Sequence, residues 1–65
     1  MNVYCKILPS GRISHTLITA QLNSGKWAIA TKNYKDDSYT PNINYPLFNT
    51  EAEAETYLIE NFKEA

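Results

Sequence analysis

Cys5 and His15 are the residues from which nucleophilic chemistry would be built in this chain, since a thiol becomes a strong nucleophile when an imidazole takes its proton. The surroundings do not favour that use: residues 1–35 contain no Asp or Glu to orient the imidazole. One histidine and one cysteine also supply too few ligands for zinc. The stretch EAEAE brings Glu51, Glu53 and Glu55 close in sequence, but on a helix residues i and i+2 point in very different directions, so these carboxylates do not converge on a metal or form an acid/base pair. Asp36-Asp37 lacks the spaced oxygen ligands and central glycine of a calcium loop. With only Gly11 and Gly25 there is no glycine-rich cradle for phosphate. The residue types argue for a non-enzymatic chain that uses no metal and no cofactor.

The elements that position these residues belong to one small domain, residues 1–65. At this length folding buries only roughly 60% of the surface that the unfolded chain exposes, so the core is small. A composition of 43% hydrophobic and 20% charged residues is that of a globular chain, not a disordered one. No apolar run approaches the roughly 18 residues of a membrane span, and the start MNVYCKILPSGR has no long apolar segment of a leader, so the expected setting is cytoplasmic and no membrane partner is expected. The single Cys5 has no partner for an internal disulfide, which fits a reducing compartment. Charge is unevenly divided: all the cations except Lys63 lie in residues 1–35, and all seven acids lie in 36–65. The molecule should be electrically two-sided.

NVYCKIL, ISHTLITAQL and WAIATKNY are rich in β-branched and aromatic residues and are separated by the turn sequences PSGR and NSGK, which predicts three strands in a meander. Ile43, Tyr45 and Leu47 alternate in residues 39–47, where Pro41 and Pro46 restrict a fourth strand to an edge; a loop is the other reading. The expected fold is α+β, a three- or four-stranded antiparallel meander with one C-terminal helix packed on one face. Taking Ser10-Gly11 and Ser24-Gly25 as two-residue loops sets Pro9 opposite Arg12 and Asn23 opposite Lys26. That register gives a core face of Val3, Cys5, Ile7, Ile18, Ala20, Leu22, Trp27, Ile29 and Thr31. It leaves Tyr4, Lys6, His15, Leu17, Lys32 and Tyr34 on the other face, with Thr19 beside Ala30. A one-residue slip in either hairpin would exchange faces.

The helix starts at a capping-box spacing, Thr50-Glu51-Ala52-Glu53, which answers the question of EAEAE in favour of a helix surface. Ala54, Leu58, Phe62 and Ala65 form a stripe flanked by Tyr57 and Ile59, and Glu53, Glu60 and Glu64 lie nearly opposite.

Two surfaces are thereby offered to partners. The uncovered sheet face, with Tyr4, Lys6, His15, Leu17, Lys32 and Tyr34, joins aromatic anchors to cations, which suits a protein interface and also suits DNA or RNA. The acidic helix face of Glu53, Glu60 and Glu64 would suit a basic groove. A partly apolar open face is also compatible with a homodimer.

The runs GKWAIATKNYKDDS and LFNTEAEAETYL are similar to the arm-type DNA-binding domain of phage and transposon integrases, through Gly25, Trp27, Phe48, Thr50, Ala54 and Leu58. The resemblance implies a three-stranded sheet followed by a helix, with the sheet entering the major groove and Lys6, Thr19, Lys32 and Tyr34 as its surface candidates. The leading expectation is a binding protein that modulates or inhibits a larger protein by contact, with a phage or mobile-element inhibitor of host machinery, including defence systems, as its specific form. Nucleic-acid binding through the sheet is the alternative.

Overall fold

The computed structural model describes residues 2–33 and 35–64. The expectation attached to Tyr34, and that for Ala65, lies outside the described residues. The chain forms β1 (Tyr4–Ile7), β2 (Ile13–Gln21), β3 (Trp27–Lys32), β4 (Tyr39–Pro41), α1 (Glu51–Asn61) and β5 (Lys63–Glu64). They build one antiparallel sheet of five strands in the order β4-β3-β2-β1-β5, with α1 on one face. The fold is the expected α+β arrangement, with five strands in place of three or four. The fourth is the short Tyr39–Pro41, set at the edge, where a residue without an N–H is tolerated. The alternation in 43–47 makes no strand: Ile43 is 98% exposed, and Tyr45 folds back against the core.

The hairpin loops decide which residues share a face. Each is closed by a three-residue loop: Leu8 N–H donates to Arg12 O at 2.8 Å and Leu22 N–H to Lys26 O at 2.7 Å. Gly11 at φ +87° and Gly25 at φ +92° take the left-handed position that such loops require. Both hairpins therefore start one residue away from the expected register. In the first, the register shifts again between Lys6 and Ile7, where one residue of β2 is passed over, and the expected pairs Tyr4↔Leu17 and Lys6↔His15 are restored. The second has no such correction. Leu17 faces Thr31, Thr19 faces Ile29 and Gln21 faces Trp27, all one position from the expected pairing.

That slip places the bulky residues of β3 on the same side as Tyr4 and Leu17. Tyr4, Leu17, Ile29, Ala54 and Leu58 form the buried cluster, with Trp27, Tyr45, Phe48, Tyr57 and Phe62 packed around it. Of the expected core face, Trp27, Ile29 and Thr31 lie on the helix side, whereas Cys5 and Ile18 are buried on the side away from the helix and Ile7 there is 44% exposed. The helix stripe settles on the face that offers Tyr4, Leu17 and Ile29 with Trp27 beside them, and Cys5, Ile7, Ile13, Ile18 and the alanines of β3 take the opposite side.

Thr50 caps α1 as expected, its hydroxyl accepting from Glu53 N–H at 3.2 Å and donating to Glu53 Oε1 at 3.1 Å. Glu51 and Glu53 lie in the first turn, at the positive end of the helix dipole. The helix ends at Asn61 because Phe62 turns extended (φ −137°, ψ 169°), while its N–H still reaches Leu58 O at 2.9 Å. Lys63–Glu64 then pair with β1, Cys5↔Lys63 and Tyr4↔Glu64. Glu64 is therefore on a strand and not on the helix, and Ile59, expected beside the apolar stripe, is 60% exposed.

Candidate interaction surface

Of the residues expected to make a sheet-face binding surface, Tyr4, Lys6, His15 and Leu17 share one side of the sheet, but it is the side on which α1 packs. Tyr4 and Leu17 are 1% and 0% exposed beneath the helix, so neither is presented to a partner. The Tyr4 hydroxyl is engaged internally, donating to Glu55 Oε1 at 2.7 Å, and Asn2 Nδ2 donates to the same oxygen at 3.2 Å. Lys6 and His15 pair across β1 and β2 on the side of Tyr4 and Leu17, with His15 Nδ1 lying 2.8 Å from Ser14 Oγ. Lys32 lies on the other side of the sheet, its ammonium 3.4 Å from Asp37. Thr19, opposite Ile29, shares the helix side and is half-buried.

The acidic helix face is partly assembled. Glu53 and Glu60 both border a shallow hollow of about 400 Å³ with Phe48, Ala52, Thr56 and Tyr57. Glu53 is also tied to the cap, and Glu64 has left the helix for β5. Asp36 accepts from both the N–H and the hydroxyl of Ser38, and these bonds hold its carboxyl below the usual range. Its role is to close the β3–β4 turn. Among the described residues no group of three or more metal-ligating side chains is assembled, and no helix is long and apolar enough to cross a membrane.

The surface that sequence reasoning assigned to the core is the one left without a helix. Strand alternation sets Cys5 and Ile7 of β1 on the side away from α1. The pairs Ile7↔Ile13, Ile18↔Ala30 and Ala20↔Ala28 continue that side across β2 and β3. Pro41 and Lys63 extend it to the two edges through their pairs with Ala30 and Cys5. The middle of that side is sunk, with Cys5 at 5%, Ile18 at 8%, Ala28 at 2% and Ala30 at 0% exposure, whereas Ile7 at 44% and Ile13 at 58%, towards the first hairpin loop, stand in solvent. The only helix packs against the opposite side, and no second helix is formed among the described residues. The chain thus carries an apolar sheet face crossed by Thr16 and flanked by Lys32 and Lys63. One signal for it was in the sequence: β3 alternates bulky Trp27 and Ile29 with small Ala28 and Ala30, and the helix needs the bulky set.

Comparison with protein-family models, with curated proteins and with solved structures finds no match. The likeness of Gly25, Trp27, Phe48, Thr50, Ala54 and Leu58 to integrase arm-type domains rests on those residues alone. In this fold Trp27, Phe48, Ala54 and Leu58 belong to the packed side.

Proposed function

We propose that this chain is a small binding protein that acts by contact with a larger protein, and that the sheet face away from α1 is its contact surface. The observation that carries the reading is the exposed Ile7–Ile13 pair at the end of the first hairpin, on a side of the sheet that α1 does not cover. Contiguous apolar patches on small soluble domains mark interaction sites more often than isolated surface leucines do. Modulation or inhibition of the bound protein is the specific form of this reading, because occupying a surface needs no catalytic group.

Photoreactive residues introduced singly at Ile7, Ile13 and Thr56 test it in an extract of the cells that make the protein. The expected result is a cross-link to one larger protein from positions 7 and 13 and none from position 56, which is exposed on the helix. Failure of positions 7 and 13 to capture a larger protein, or equal capture from position 56, would overturn the reading.

A further inference from the structure

The first turns of α1 and the loop end of the β2–β3 hairpin leave an open cleft between them, and its chemistry is one-sided. Asn2, Thr19, Gln21, Trp27, Glu51 and Glu55 line a space of about 650 Å³, within the size range of small-ligand sites. We propose that this cleft binds a guanidinium group, presented by an arginine side chain of another protein. It lies on the helix side of the sheet, whereas the Ile7–Ile13 pair lies on the other, so the inference stands apart from the contact surface argued above.

The fold brings these six residues together from four segments. Thr19 and Gln21 are two apart on β2 and share its helix side, and Trp27 is paired with Gln21 across the hairpin. Glu51 and Glu55 are four apart on α1 and lie one above the other, with roughly 5–6 Å between their Cβ atoms. Asn2 precedes β1 and reaches Glu55.

Internal hydrogen bonds decide what is left for a ligand. The amide donors are used: Asn2 Nδ2 donates to Glu55 Oε1 at 3.2 Å and Gln21 Nε2 to Gly25 O at 3.3 Å. The Tyr4 hydroxyl, on a side chain only 1% exposed, donates to the same Glu55 oxygen at 2.7 Å and so orients that carboxylate. The acceptors remain. Among the described residues Glu55 Oε2, both Glu51 carboxylate oxygens and the side-chain amide oxygens of Asn2 and Gln21 accept no hydrogen bond. No cation of the chain neutralises the two carboxylates either: among the described residues the ion pair is Lys32 with Asp37, and Lys26 is held by Asn49 Oδ1. A ligand that fits must be positive and rich in donors.

Guanidinium meets those terms best among cations. It is planar and carries five N–H donors, so it can bridge two carboxylates one helical turn apart, where an ammonium is a point charge. The Trp27 indole supplies a ring on which it can stack. A metal ion is not served, because among the described residues no third ligating side chain joins the two glutamates.

Trp27 is the single tryptophan of the chain, so its fluorescence reports the cleft directly. Titration of the full chain with an acetylated, amidated Gly-Arg-Gly peptide should change that fluorescence saturably. The same peptide with citrulline, which keeps the shape and loses the charge, should bind at least about tenfold more weakly, with the lysine peptide between the two. Glu51→Gln should weaken the arginine peptide by about tenfold, as loss of one charge-assisted pair does, and Glu60→Gln, outside the cleft, should leave it unchanged. Glu51 is exposed and outside the buried cluster, so its variant keeps the test valid even where Glu55→Gln loosens the bond to Tyr4. Fluorescence unmoved by the arginine peptide would overturn the proposal, as would an equal response to the citrulline peptide or an unchanged affinity in Glu51→Gln. Tighter binding of agmatine, the same group without a peptide, would overturn its assignment to a protein side chain. Each of these outcomes is independent of the cross-links from positions 7 and 13, which test the other face.

Discussion

The Tyr4 hydroxyl donates a 2.7 Å hydrogen bond to Glu55 Oε1, joining the first strand to the middle of the helix across 51 positions of sequence. Sheet and helix are thereby fastened by a polar contact at the margin of an otherwise apolar layer. The Glu55 carboxylate raises the Tyr4 phenol above its ordinary value, and burial acts in the same direction. A raised phenol favours the native state as long as the proton stays on. Up to about pH 10 both states keep it; above that the unfolded chain releases its proton while the native chain holds it, so stability falls as pH rises towards the folded value. Thermal melts from pH 8 upwards should show a steeper alkaline loss for the wild type than for Tyr4→Phe. Identical pH slopes would mean that the bond does not form in solution.

Leu58 is fully buried against Tyr4, Leu17 and Ile29, and its helix neighbour Ile59 is 60% exposed. Leu58→Ala should cost about 2–5 kcal/mol in urea unfolding, a large share of the stability of so small a domain. Ile59→Ala should stay within about 0.5 kcal/mol. Equal costs at the two positions would mean that the helix sits on the sheet through a different face.

Gly25 has open space around the position of a Cβ, so its requirement is purely one of backbone conformation. Gly25→Ala should cost about 1–2 kcal/mol through the left-handed position alone, and Gly25→Asn less. A neutral Gly25→Ala would indicate that the three-residue loop, and with it the register of β2 on β3, is not the one adopted in solution.

That loop is also where sequence reasoning and structure part. Strands β1 to β3, the Thr50 cap and the Ala54–Leu58 stripe were legible, because period-two and period-3.6 patterns and cap chemistry are local. The faces of the sheet were not, because the same SG dipeptide fits a two-residue or a three-residue loop, and one residue of difference turns a strand over. Tyr4 and Leu17 kept their predicted pairing, yet changed from surface to core, since β3 slipped beside them. β5 was hidden because Lys63 and Glu64 continue the helical charge pattern, and only the turn at Phe62 shows that the chain has left the helix.

Thr50 both accepts from the Glu53 amide and donates to the Glu53 carboxylate. Thr50→Ala should cost about 0.5–2 kcal/mol, and Thr50→Ser or Thr50→Asp should recover most of it. Since the acidic hollow is bordered by Glu53 as well as Glu60, the cap variant also loosens one wall of that hollow. Guanidinium melts followed by far-ultraviolet circular dichroism read this directly; a variant with unchanged midpoint would exclude the cap from helix stability.

Binding of duplex DNA by the sheet would need its cations on one surface, and their placement argues against it. Lys6 lies on the helix side and Lys32 on the opposite side, where Asp37 already faces it. Lys26 follows the β2–β3 loop and is held by Asn49 Oδ1 at 2.6 Å. A duplex meeting one side of the sheet could neutralise only part of this set, so the slope of log K against log salt should be shallower than the roughly −3 expected for three or more phosphate contacts. Titrating a fluorescent duplex from low to physiological salt is therefore expected to give weak binding that disappears early. Lys6→Ala and Lys32→Ala should not both reduce the slope, because the two side chains leave the sheet in opposite directions. A steep slope reduced by each substitution would restore the nucleic-acid reading and displace the protein-contact one.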